Sequence, residues 1–164
     1  MDENFRVSFE SPQSGWMSLR LRAGEAQQLV LGVSHAPYDS LRDLIAGLSA
    51  LVAHEGRAAH VRWNCEPEEY DFHLATEGAQ VEFTVTRYAD HRRRRSDSRT
   101  VFAARLPTLD LCLAFWRELR ELGRRSEVDV FRENWRREFP QTEMQELTRL
   151  LRAHKREART QERV

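Results

Sequence analysis

Lysine is almost missing from this chain: of 26 basic residues only Lys155 is a lysine, and the rest are arginine. Arginine's planar fork suits bonds to carboxylates and phosphates, and its GC-rich codons point to a high-GC bacterial genome. Cysteine is scarce too. Cys65 and Cys112 lie far apart, which excludes a disulfide scaffold and the paired spacing of a metal finger. Both fall on apolar faces and read as buried thiols. The longest apolar run, LIAGLSALVA, is too short and too amphipathic to span a bilayer. The opening MDENFRVSFE is acidic and alternating, unlike a secretory leader. A cytoplasmic protein with no membrane partner is therefore expected. Charge of one sign is also lacking, since 26 acidic residues balance the 26 basic ones. That balance excludes a global field steering the chain to nucleic acid, so any such binding must come from a local patch. There is no Gly-rich phosphate loop, GxSxG elbow, HExxH, CxxC or dinucleotide fingerprint. No cofactor is expected, and catalysis is not indicated.

What is present is a regular alternation. Phe5, Val7 and Phe9, then Met17, Leu19 and Leu21, then Leu29, Leu31 and Val33 each alternate with polar residues, as half-buried strands do. Ser40 opens a helix with Leu41, Leu44, Ile45, Leu48, Leu51 and Val52 at helical period, closed by Gly56. Strands follow at 60–65, 70–76, 79–88 and 100–106. From Pro107 the period becomes helical for good. Thr108 caps a helix ended by Gly123, Ser126 with Asp129 resembles a capping box, and Thr142 starts a last helix. The fold class is therefore α+β: an antiparallel meander of about seven strands with one inserted helix packed on it and a C-terminal three-helix segment. A chain of 164 residues suits one domain burying roughly 70% of its unfolded surface. Its expected extent is 1–151, with the sheet and inserted helix in 1–106 and the helices in 107–151. The charged tail 152–164 has no apolar stripe and is expected to fray.

The block from His60 to Tyr88 carries the chemistry worth testing. A hairpin pairing Trp63 with Tyr70 would set Arg62 opposite Asp71 and His60 opposite His73. A tight turn at Glu77-Gly78 would pair Thr76 with Ala79 and set His73 opposite Glu82. His60, His73 and Glu82 then form a row of two imidazoles and a carboxylate, the donor set of a zinc site or an acid–base pair. A solvated sheet face with an ordinary cross-strand contact is the simpler account of the same residues.

Acidic Glu66, Glu68, Glu69 and Asp71 flank the first hairpin loop, and Arg92, Arg93, Arg94, Arg95 and Arg99 follow the third strand of the block. Alternate connections of a meander emerge at one end, so these two loops should be neighbours and answer each other's charge. An arginine run alone suits phosphate. Here acidic residues compete for it, and the aromatics sit on apparent core faces, so nucleic acid ranks behind a protein partner. Trp116, Phe131, Trp135 and Phe139 keep helical spacing and read as core, although Trp and Arg also dominate interface hot spots.

The segments SHAPYDSLRDL, VRWNCEPEEYDF, FWRELREL and FRENWRREFP resemble those of a set of small bacterial proteins of unknown function. In these a PYDSL helix start, an RWN-EP-EY-F hairpin and an FWR helix recur. The resemblance implies a common fold over most of the chain and no particular chemistry. Taken together, the residues favour a protein-binding module, of an immunity or antitoxin type, contacting its partner through Glu66, Glu68, Glu69, Asp71 and Arg92 to Arg95. The alternatives are a metal-dependent enzyme at His60, His73 and Glu82, or a nucleic-acid binder using Arg92 to Arg95.

Overall fold

Every second residue of the first strand is buried, as a sheet with one face against a core demands. The computed structural model describes residues 4–54 and 56–163. Strands β1 (Phe5–Phe9), β2 (Trp16–Ala23) and β3 (Gln27–Ser34) pair antiparallel in that order. Helix α1 (Ser40–Val52) follows, and then β4 (Ala58–Asn64), β5 (Glu69–Glu77), β6 (Gln80–Tyr88) and β7 (Arg99–Pro107) form a second antiparallel sheet. Helices α2 (Thr108–Arg125), α3 (Val128–Trp135) and α4 (Gln141–Gln161) complete the α+β fold.

The strands thus divide into two sheets, of three and four strands, where the alternation predicts one meander. The break falls at α1. Its 13 residues pack on β4, so the chain starts a new sheet instead of extending the edge of β3. One core nevertheless serves both sheets. Phe5 of β1 lies 5.8 Å from Phe83 of β6 and 5.7 Å from Phe115 of α2, ring centre to ring centre. Each such buried aromatic stabilises the fold by roughly 1.5–3 kcal/mol. A side chain also bridges the sheets. Gln27 donates from Nε2 to the Ala103 carbonyl at 2.8 Å and accepts from the Ala103 amide at 3.0 Å.

Several helix boundaries differ from the sequence expectation for local reasons. α1 ends at Val52, and the left-handed position falls on His54, φ 56°, not on Gly56. α2 runs through Gly123 to Arg125 because that glycine serves packing: a Cβ there would sit 2.9 Å from the Phe139 ring. The Ser126–Asp129 capping box does not form, since the residue before α3 is Glu127 and makes no side-chain cap bond. α4 continues past Arg152 to Gln161, where the lack of an apolar stripe predicts a frayed tail. Its Ala, Arg, Lys, Glu and Gln residues are strong helix formers and need no apolar stripe to extend an anchored helix. Phe131 and Trp135 are buried as their spacing predicts, while Trp116 and Phe139 pack at the edge of the core. No helix among the described residues is long and apolar enough to cross a membrane.

Candidate functional site

The alternation leaves the register of β4 on β5 open, and the structure has the one supposed above: Trp63 faces Tyr70, Arg62 faces Asp71 and His60 faces His73. The next hairpin differs. Glu77 pairs with Gln80, so the two-residue loop is Gly78-Ala79, with Gly78 at φ 61° in the first central position that a type II′ turn reserves for glycine. Every partner across β5 and β6 moves by two residues. A two-residue slip keeps each side chain on its face, so Phe72, Leu74, Val81, Phe83 and Val85 stay in the core. The neighbours on the outer face change. His73 now faces Thr84, and Glu82 faces Ala75, which removes Glu82 from the expected histidine row. Asp71 takes its place: ligand-type atoms of His60, Asp71 and His73 all lie within 4.8 Å of one another.

Glu69 and Asp71 stand on the outer face of β5, yet each is only 2% exposed. Two loops cover them. The first, between β3 and α1, is pinned by Asn64 Nδ2 donating to the Ala36 carbonyl at 2.8 Å and Arg137 Nε donating to the His35 carbonyl at 2.5 Å. Ser40 Oγ donates to the Arg62 carbonyl at the start of α1. So held, Tyr38 donates its hydroxyl to Glu69 Oε1 at 2.6 Å.

The second loop follows β6 and supplies Arg93. Asp90 opens it by accepting the Arg92 amide at 2.9 Å, and Arg93 adopts φ 50°, turning its side chain back over the sheet. Its Nη1 lies 2.5 Å from Asp71 Oδ2 and its Nη2 3.3 Å from Glu69 Oε1. The guanidinium also sits 5.0 Å from the centre of the Tyr88 ring and 5.9 Å from that of Tyr38. Burial alone would lower the proton affinity of Arg93, but its bonds to Asp71 and the charge of Glu69 raise it above the ordinary arginine value. Burial, followed by the bond to Glu69, raises the Tyr38 phenol.

His60 Nε2 donates to the same Asp71 oxygen at 2.9 Å, an Asp–His pair whose imidazole is half open to solvent. His60 and His73 stack with ring centres 4.6 Å apart and planes 8° from parallel. Burial pushes the His73 imidazole below its ordinary value, and the facing His60 adds to the effect. Stacking argues against one ion held by both rings. An imidazole lone pair lies in its ring plane, and two near-parallel planes share no point at ligand distance, so a tetrahedral site would require one ring to rotate. Asp71 Oδ2 is already taken by His60 and Arg93, while Asp71 Oδ1 is buried without a partner among the described residues.

No protein-family model, curated protein or solved structure matches this chain. Of the sequence-predicted residues, Glu69, Asp71 and Arg93 meet in the buried network, and Glu68 reaches Arg87 at 3.4 Å. The acidic and basic loops do adjoin at one end of the sheet. Glu66, Arg92, Arg94 and Arg95 are exposed, and none of them makes an ion pair among the described residues. Tyr38 and Tyr88 are the members of the network that sequence reasoning missed. Tyr38 lies in no alternating strand, and its place in the PYDSL segment just before the Ser40 helix start is what marks it.

Proposed function

We propose that this chain is a protein-binding module of a bacterial cytoplasm, of an immunity or antitoxin type, whose contact surface is the loop end of the four-stranded sheet. The observation that carries this reading is the inward turn of Arg93. By bonding two buried carboxylates it fixes the loop, and Arg92, Arg94 and Arg95 are left exposed around a rigid anchor. A loop ordered before binding loses less entropy on association. Exposed guanidinium groups with no carboxylate partner favour an acidic protein face and give fast, selective encounter. Nucleic acid offers negative charge too, but Tyr38 and Tyr88 already have Arg93 over their rings, which makes them a poorer platform for bases.

The test is calorimetric titration of the chain with the purified product of each adjacent gene, in wild type and in the Arg92→Glu/Arg94→Glu/Arg95→Glu variant. Binding to one such protein that weakens on charge reversal supports the proposal. Binding indifferent to the three reversals, or a salt-sensitive gel shift with DNA or RNA in place of any protein complex, refutes it.

A further inference from the structure

A second concentration of arginine lies on the helices, and the loop end of the sheet contributes no residue to it. α2 and α4 leave an open groove of about 470 Å³ between them, walled by Arg120 and Arg124 from α2 and by Arg149, Arg152 and Arg156 from α4. Helical spacing produces the convergence. Arg120 and Arg124 are four apart on α2, and Arg149, Arg152 and Arg156 follow at three and four on α4, so each set lies along one face. Phe139 and Met144 add apolar surface to the lining, and the Phe139 ring lies against Gly123, where a Cβ would come within 2.9 Å of it.

Most of the charge of this groove is uncompensated. Arg149 is held by Glu146 through two bonds, at 2.8 and 2.6 Å. Arg120, Arg124, Arg152 and Arg156 pair with no carboxylate among the described residues, and no acidic residue lines the groove. Arg120 lies 5.2 Å from the centre of the Trp116 ring, and Trp116 Nε1 is tied to Thr148 Oγ1 at 2.9 Å, so the helix on each side is braced. In a chain of zero net charge, four unpaired guanidinium groups in one concavity repel one another until an anion enters. Forked donors match phosphate oxygens, and the volume lies within the range of small-molecule sites.

We infer that the α2–α4 groove binds a polyphosphorylated ligand of nucleotide size, its phosphates on Arg124, Arg152 and Arg156 and its apolar part against Phe139. The phosphates could belong to a free nucleotide or to a nucleic-acid chain, and the recognition chemistry is shared.

The experiment is calorimetric titration of the full chain with inorganic tripolyphosphate, ATP, a short oligothymidylate and a poly-glutamate peptide. It is run on wild type, on Arg124→Gln/Arg152→Gln/Arg156→Gln, and on Arg92→Gln/Arg94→Gln/Arg95→Gln as the control for charge elsewhere. Saturable binding of tripolyphosphate and ATP, weakened roughly tenfold or more in the groove variant and unchanged in the control, is the expected result. Binding of the oligothymidylate alone, lost in the groove variant, keeps the phosphate site and assigns it to a nucleic-acid chain. No saturable binding of any phosphate compound, equal loss in both variants, or binding of poly-glutamate alone overturns it. Circular dichroism of each variant establishes that it is folded, and the single exposed substitution Arg152→Gln provides a milder second variant expected to lose part of the same affinity.

Discussion

Arg93 reaches back across 22 residues of chain to set its Nη1 2.5 Å from Asp71 Oδ2. Neither group stands at the surface, with side chains 19% and 3% exposed. Such a pair adds little net stability while intact, because Asp71 has lost its water and Arg93 most of its own. Its removal from one side is another matter, since the remaining charge is left buried.

Arg93→Met should therefore destabilise the chain by about 3 kcal/mol, since it strands Asp71 and Glu69 together. Arg94→Met, one residue away and exposed, should stay within about 0.5 kcal/mol of wild type. Urea unfolding of the two variants decides the matter. Equal midpoints would show that the inward turn of Arg93 is not holding the loop.

His73 gives a pH signature. Its folded pKa lies below the ordinary imidazole value, so the unfolded chain binds more protons between the two values. The contribution of His73 to stability is therefore full above about pH 6.5 and is lost as pH falls through the folded value. Proton NMR titration should place the His73 midpoint below that of a free histidine. Burial is the main cause and the facing His60 the next, with Arg93 lowering and Asp71 raising the value. The His60→Gln variant should accordingly move the midpoint upward, and an unmoved midpoint would rule out coupling between the stacked rings.

The thiols should be inert. Burial pushes Cys112 up to about 12, and burial with the nearby charges of Glu68 and Glu69 does the same for Cys65. Thiolate is the reactive form, so neither residue should react with a disulfide reagent at neutral pH until urea unfolds the chain. Rapid modification of one thiol in the native protein would place Cys65 in a more open setting than β4 and its loop provide.

Three glycines separate backbone conformation from space. Gly78 at φ 61° and Gly24 at φ 60° have open surroundings, and Gly32 also has open space but no left-handed φ. Alanine at Gly78 or Gly24 should destabilise by about 1 kcal/mol through backbone strain alone. Alanine at Gly32, inside β3, should be neutral or mildly stabilising. Thermal unfolding of the three variants gives the ranking.

The alternation of apolar residues made most of this architecture readable. It set which face of β4, β5 and β6 meets the core, but the Trp63–Tyr70 pairing was one of several registers that keep those faces. It could not choose between Glu77-Gly78 and Gly78-Ala79 as the turn, because both place the glycine in the loop and both preserve the faces. The histidine row was thus half legible: His60 and His73 meet, and Glu82 does not. Nothing in HRRRR distinguishes Arg93 from its neighbours. That choice is made by the bend at Asp90 and by two carboxylates more than twenty residues earlier, a tertiary matter with no local signal. Similarly, one continuous meander and two sheets sharing a core have the same pattern in sequence, and only the packing of α1 on β4 separates them.

The Gln27 bridge to Ala103 has a consequence for molecules meeting at high concentration. β7 is an outer strand, and an outer strand is a template on which another chain can build. At its middle, however, the template is spoiled, for the amide and carbonyl of Ala103 are already engaged by a side chain that imitates a strand without continuing one. An approaching copy finds an interrupted row of donors and acceptors. Gln27→Ala should reopen that edge, and a concentration-dependent rise in sedimentation coefficient absent from the wild type would show it.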